Sequence, residues 1–203
     1  MRRIIYIICS IVAFFALAVG VFFTSDYFAN KWESERLQAS ILTDTKGKPW
    51  RISDLKDKIG VVFFGYTFCP DACPTALNDI SIALAEMGSK RDLFQPAFIS
   101  VDPGRDTPEI IGKYVAHFDK SIVGLTGSDS ELKKISFNFG ATYTLQKKGP
   151  KDQEYLVNHS ANFFMVTSSG QKLPMPVTKN SDELQRVMLK VKDRILKDNA
   201  RWQ

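Results

Sequence analysis

The sequence predicts an α/β domain in which a mixed central sheet is flanked by helices, on the strength of three observations. Strand-like and helix-like stretches alternate along most of the chain. The run Val61-Val62-Phe63-Phe64-Gly65-Tyr66 is continuously apolar, as expected of a central strand covered on both faces. Two cysteines, Cys69 and Cys73, fall where that strand gives way to a helical pattern, which is what a thioredoxin-like fold requires.

Taken in order, Ile41-Leu42, the Lys46-Gly47-Lys48 turn and Trp50-Arg51-Ile52 read as a hairpin ahead of the central strand. Pro74 suits the first turn of the helix that follows, and Leu77, Ile80, Leu84 and Met87 recur at helical spacing. The next strand is Pro96 to Val101 and the next helix Thr107 to Phe118. Asp106 or Thr107 can cap that helix, Pro108 fits its first turn, and Glu109 completes a capping box if Asp106 is the cap. Capping leaves Asp102 and Arg105 open to a second reading, as residues that hold a loop or meet a partner. Val123-Gly124-Leu125 and the segment from Ser130 to Phe139 continue the alternation. Leu156 to Val166, with a turn at Ser168-Ser169-Gly170, reads as closing strands. A last helix places Leu184, Val187, Met188, Val191 and Ile195 on one face. The polar stretch from Lys147 to Glu154 reads as an exposed, mobile loop leading to His159.

Ahead of this domain, Ile4 to Phe23 contains no charged residue, and as a helix it would span roughly 30 Å, enough for one transmembrane crossing. Arg2 and Arg3 precede it and set the N-terminus on the cytoplasmic side. Apolar residues continue past Ala16-Leu17-Ala18, so the segment reads as an uncleaved anchor, and Cys9 as one of its small apolar residues. No Arg- and Ser-rich transit segment precedes it, which favours a bacterial inner membrane with a periplasmic domain over the mitochondrial inner membrane. The expected organisation is an anchor over 1–23, a juxtamembrane linker over 24–40 without the run of core positions a domain needs, and one domain over 41–203. Tyr27, Phe28 and Trp32 suit the headgroup level.

The 203 residues carry a net charge of +5, with both signs interspersed and no basic run, which argues against a nucleic-acid partner. If Cys69 and Cys73 both lie in the opening turn of the helix, they share a face. The helix start would then lower a cysteine pKa, making a nucleophile and a soft metal ligand. The same pair is within reach of a disulfide. His159, in Asn158-His159-Ser160 beside an apolar stretch, by itself reads more readily as a structural residue than as a ligand. Two thiolates and an imidazole would suit copper, as Cu(I) or Cu(II), rather than structural zinc. His117, beside Phe118, reads as structural.

The stretch Phe64-Gly65-Tyr66-Thr67-Phe68-Cys69-Pro70-Asp71-Ala72-Cys73-Pro74 resembles the signature of the Sco/SenC family. Three further blocks agree in order: Ser100 to Thr107, Val123 to Gly127, and Tyr155 to Ser160. These are copper proteins required for cytochrome c oxidase assembly. The resemblance implies a thioredoxin fold, with Cys69, Cys73 and His159 as copper ligands. It also implies a metallochaperone for the binuclear centre of cytochrome c oxidase subunit II, served by other periplasmic copper chaperones or thiol reductants. Asn158 stands where the family often has an acidic residue, which changes the local charge but not the ligand set. A thiol–disulfide oxidoreductase using Cys69 and Cys73 catalytically is the main alternative. A peroxidase or a purely structural assembly factor remains behind it.

Overall fold

The computed structural model describes residues 28–146 and 154–200, the last three by backbone alone, together with Tyr6, Phe14, Phe15, Leu17, Gly20, Val21 and Gly149. Apart from the isolated positions among these, the expected anchor with Cys9, and the expected mobile loop, lie outside the described residues. Among the described residues, no helix is long and apolar enough to cross a membrane.

Residues 28–38 are helical and form α1. The stretch shows no run of core positions, as expected, yet it packs on the domain through one apolar residue, Leu37, which is fully buried. Polar contacts hold the rest. Glu33 pairs with Lys172 at 2.6 Å, Gln38 donates to the Ser169 carbonyl at 2.5 Å, and Asn138 donates to the Arg36 carbonyl at 3.4 Å. Gly170, at φ 83°, lets the Ser34 carbonyl come in close, since a Cβ there would sit 2.6 Å from its oxygen. A single apolar contact leaves no periodicity, so the sequence pattern did not signal this docking.

The hairpin expected next is present as β1 (Leu42–Asp44) and β2 (Pro49–Trp50). Asp44 Oδ1 accepts from the Lys46 and Lys48 amides at 2.9 and 2.8 Å, an Asx-type closure of the turn. The main sheet also contains β3 (Ile59–Gly65), β4 (Phe94–Ser100), β5 (Val123–Thr126), β8 (Phe163–Val166) and β9 (Lys172–Leu173). Its order is β2-β1-β5-β4-β3-β8-β9. The strands β3, β4 and β5 run parallel, while β1 and β8 flank them antiparallel, so the sheet is mixed as expected.

The helices α2 (Ala72–Glu86), α3 (Pro108–Phe118), α4 (Asp129–Phe139) and α5 (Ser181–Ala200) complete the domain. Alternation along the strands sends Phe98 toward Tyr114 of α3, and Phe64 toward Phe139 of α4, so helices cover both faces. α5 packs along α2 and buries Leu184 and Met188. This is the thioredoxin-like arrangement. One difference matters for the site. The stretch from Leu156 to Val166 is not continuous strand: β7 (Val157–His159) leaves the main sheet and pairs with β6 (Tyr143–Leu145) as a separate ribbon, with Tyr143 opposite His159.

Candidate metal centre

Parallel pairing sets Gly65, the last residue of β3, beside Ser100, the last of β4, and the Val101 amide donates to the Gly65 carbonyl at 2.9 Å. The chain then turns, with the Cys69 amide donating to the Tyr66 carbonyl at 3.2 Å, and enters α2 at Ala72. Cys69 therefore precedes the helix rather than sharing its opening turn with Cys73. Its Sγ accepts the Cys73 amide at 3.4 Å, so one of the helix's free N–H groups is spent on the sulfur. Cys73 is fully buried and Cys69 partly exposed; both are free thiols. Gly65 makes room for the buried one, because a Cβ at that position would stand 2.6 Å from Cys73 Sγ and 2.9 Å from the Phe98 ring.

The ribbon brings His159 to this pair. Its Nε2 is 3.3 Å from Cys73 Sγ and 3.9 Å from Cys69 Sγ. Its Nδ1 lies 3.2 Å from the Ser160 carbonyl, which can only accept, so Nδ1 carries the proton and the Nε2 lone pair faces the sulfurs. The rings of Phe63 and Tyr66 stand edge-on to the imidazole, each at 5.9 Å. Burial lowers the His159 pKa, keeping it neutral and able to ligate. Burial also pushes the Cys73 thiol well above its usual range, which reverses the helix-start expectation for that residue: desolvation of a fully enclosed sulfur outweighs the helix terminus.

Behind the ligands sit supporting polar groups, among them Thr67, Ser100 and Tyr155, to which the sequence reading gave no role of their own. Asp106, almost fully buried, accepts from the Thr67 amide at 2.9 Å, the Thr67 hydroxyl at 2.5 Å and the Ser100 hydroxyl at 2.5 Å. Thr107 caps α3 instead, accepting from the Ile110 amide at 3.3 Å. Burial raises the Asp106 pKa against the pull of these three hydrogen bonds. Asp102 accepts from Arg105 Nε at 2.5 Å and from the Tyr155 hydroxyl. Burial of the Tyr155 hydroxyl, reinforced by that hydrogen bond, pushes its pKa up to about 12. Asp102 and Arg105 thus hold loops, one of the two readings left open above. The capping signal at 106–107 partly masked these roles, and contacts such as Thr67 to Asp106, 39 residues apart, leave no local pattern.

Among the described residues, Cys69, Cys73 and His159 form one cluster able to hold a metal ion, their donor atoms all within 4.8 Å of one another. His117 lies outside it, against Phe118. Asn158 is exposed between the inward residues of β7, so it changes surface charge without entering the cluster. Two sulfurs and one imidazole nitrogen, the cluster's three donors among the described residues, fit copper chemistry.

A family model described as SCO1/SenC matches residues 35–194, well over half of the chain. The chain belongs to the SCO1/SenC family. Among SCO relatives, mitochondrial SCO2 of Saccharomyces cerevisiae is 34% identical over 155 residues, covering 76% of this chain and 51% of the relative. A SCO2-like protein of Rickettsia felis is 31% identical over 132 residues, covering 65% and 64%. The chain thus spans between about half and two thirds of the length of these curated relatives. Of the solved SCO structures, Bradyrhizobium japonicum ScoI with copper bound is 33% identical with a TM-score of 0.66, covering 75% of this chain and 96% of that one. Arabidopsis thaliana ScoI with copper bound is 30% identical with a TM-score of 0.70, covering 76% and 96%.

Proposed function

We propose that the protein is a membrane-anchored copper metallochaperone that holds one copper ion through Cys69, Cys73 and His159. Its acceptor is cytochrome c oxidase subunit II, whose binuclear copper centre it helps to assemble. The observation that carries this reading is the convergence of the three donor atoms within 4.8 Å, from a loop and a strand 86 to 90 residues apart. Family membership and copper-bound relatives support it. The half-exposed Cys69 is the ligand an acceptor thiolate reaches first, while Cys73 and His159 keep hold of the cargo from beneath. Copper then passes by stepwise ligand exchange, without release of a bare ion. The apolar segment from Ile4 to Phe23 and the arginines before it support a single-pass anchor in a bacterial inner membrane, with the domain in the periplasm.

The test is copper stoichiometry and spectrum of the reduced protein beside Cys69→Ser, Cys73→Ser and His159→Ala. One copper per chain with thiolate-to-Cu(II) absorption, weakened in all three variants, is the expected result.

A second reading draws on the unequal exposure of the two thiols. Cys69 as thiolate would attack an acceptor disulfide to form a mixed disulfide, and Cys73 would then displace the acceptor thiol. Two electrons pass to the acceptor, now a dithiol, and a Cys69–Cys73 disulfide remains. That chemistry does not need His159, so an active His159→Ala protein that fails with either Cys→Ser change would favour it.

A further inference from the structure

Cys69 and Cys73 follow β3 in the main sheet, whereas His159 ends a strand of the separate β6–β7 ribbon. The β3–β8 ladder that joins the two pieces of chain reaches only to Phe63 and Phe163, short of both the cysteine loop and His159. Contacts beyond that ladder, a Tyr66–Val157 hydrogen bond among them, therefore have to fix the separation of the ligands.

We propose that Arg105 is the positioning residue that locks the His159 strand to the cysteine loop. The inference rests on the copper reading above. Arg105 comes from the loop between β4 and α3, and its guanidinium touches both pieces at once. Its central carbon lies 3.7 Å from the centre of the Tyr155 ring, on the approach to β7. On its other contacts it stands 4.8 Å from the Phe68 ring and 5.6 Å from the Tyr66 ring, both in the cysteine loop. Phe68 precedes Cys69 directly, and Tyr66 meets the His159 ring edge-on.

The guanidinium is itself held. Arg105 Nε donates to Asp102 Oδ2 at 2.5 Å, and the Tyr155 hydroxyl donates to Asp102 Oδ1. Asp102 has no exposed surface and is fixed through its backbone: its amide donates to Ser100 Oγ at 3.2 Å, and its carbonyl accepts from the Arg105 and Asp106 amides at 3.2 and 2.9 Å. A planar cation can present its edge to a carboxylate and its faces to rings together; an ammonium cannot. Asp102, Arg105 and Tyr155 thus form one clasp between the loop that carries the sulfurs and the strand that carries the imidazole.

The consequence concerns the third ligand. Two thiolates suffice for Cu(I), while Cu(II) also depends on the imidazole. Loosening the clasp should therefore cost Cu(II) far more than Cu(I).

The experiment compares wild type, Arg105→Lys, Tyr155→Phe and His159→Ala in the full chain, titrated separately with Cu(I) and Cu(II). Arg105→Lys and Tyr155→Phe should each weaken Cu(II) binding by about 10–100-fold, as loss of a ligand's supporting partner does, and diminish the imidazole nitrogen coupling in the Cu(II) resonance spectrum. Cu(I) affinity should stay within about threefold of wild type, as thiolate ligation alone would hold it. In the copper-free protein, amide exchange at 157–159 should quicken while β3 and β4 keep wild-type protection. Unchanged Cu(II) spectra and exchange in both variants would overturn the clasp. So would equal losses of Cu(I) and Cu(II) with exchange faster throughout β3 and β4, which would mark a general loss of fold. A wild-type protein that binds no copper would remove the copper reading, and the exchange comparison would still decide whether Arg105 holds the strand.

Discussion

Gly65 sets how near the buried thiol comes to the end of β3, and the two close contacts its Cβ would make leave no room for a methyl group. Gly65→Ala should destabilise the protein by about 1–3 kcal/mol, read as a lower urea midpoint, because both Cys73 and Phe98 would have to move. At Asp106 the cost is electrostatic. Asp106→Asn can keep its oxygen on the Thr67 amide and the Ser100 hydroxyl, but it turns an NH2 toward the Thr67 hydroxyl, which has to swing its proton away to accept, and the charge that strengthened all three bonds is gone, for about 0.5–1.5 kcal/mol. The titrating ligands make a third prediction, for the reduced, copper-free protein. His159 has a lowered folded pKa, so the unfolded chain takes up the proton more readily, and stability falls as the pH drops from about 6.5 through the folded value. Cys73 has a raised folded pKa, so above about 8.5 the native state holds a proton that the unfolded state has lost, and stability falls again as the pH rises. Urea midpoints across pH should trace both limbs. His159→Ala should flatten the acid limb, and Cys73→Ser the alkaline one.

At the scale of the element, much of the architecture was legible because its signals are local. The apolar run of β3, the Pro74 start of α2, the hairpin turn at Gly47 and the apolar face of α5 each reflect interactions within a few residues, and each element is present. The docking of α1 was not legible, since it rests on one leucine and several polar contacts to the β8–β9 turn and α4. Nor was the division of the Leu156–Val166 stretch between two sheets, because what separates β7 from β8 is the pairing partner of each, and those partners lie elsewhere in the chain. At the site, the three ligands were named from residue type and from likeness to a known signature. The supporting roles of Thr67, Ser100, Asp106 and Tyr155 were missed, since the Thr67–Asp106 and Asp102–Tyr155 bonds join parts of the chain 39 and 53 residues apart and the capping signal at 106–107 hid the shorter Ser100–Asp106 bond. Leu37→Ala tests the α1 docking. It should cost about 2–5 kcal/mol if α1 folds with the domain, with loss of amide protection across 28–38 in hydrogen exchange. Protection lost there alone, at an unchanged urea midpoint, would make α1 an independently opening unit.

Across the whole molecule, the sheet register separates two poles. β8 runs back along β3, pairing Phe163 with Phe63 near the cysteine loop and Val166 with Gly60 at the other end. The β8–β9 turn, against which Ser34 and Gln38 rest, therefore lies at the end of β3 remote from Cys69. Over the seven residues of β3 the two ends stand about 20 Å apart. The polypeptide thus joins the body at its foot, and the mouth that holds the sulfurs faces the other way. If the proposed membrane anchor precedes α1, it would act as a mooring line, limiting how far the domain drifts while leaving its working end free to swing. The proposed acceptor, held to the same surface, would then be met by turning, over a radius fixed by the length of the body, rather than by bringing the two anchors together.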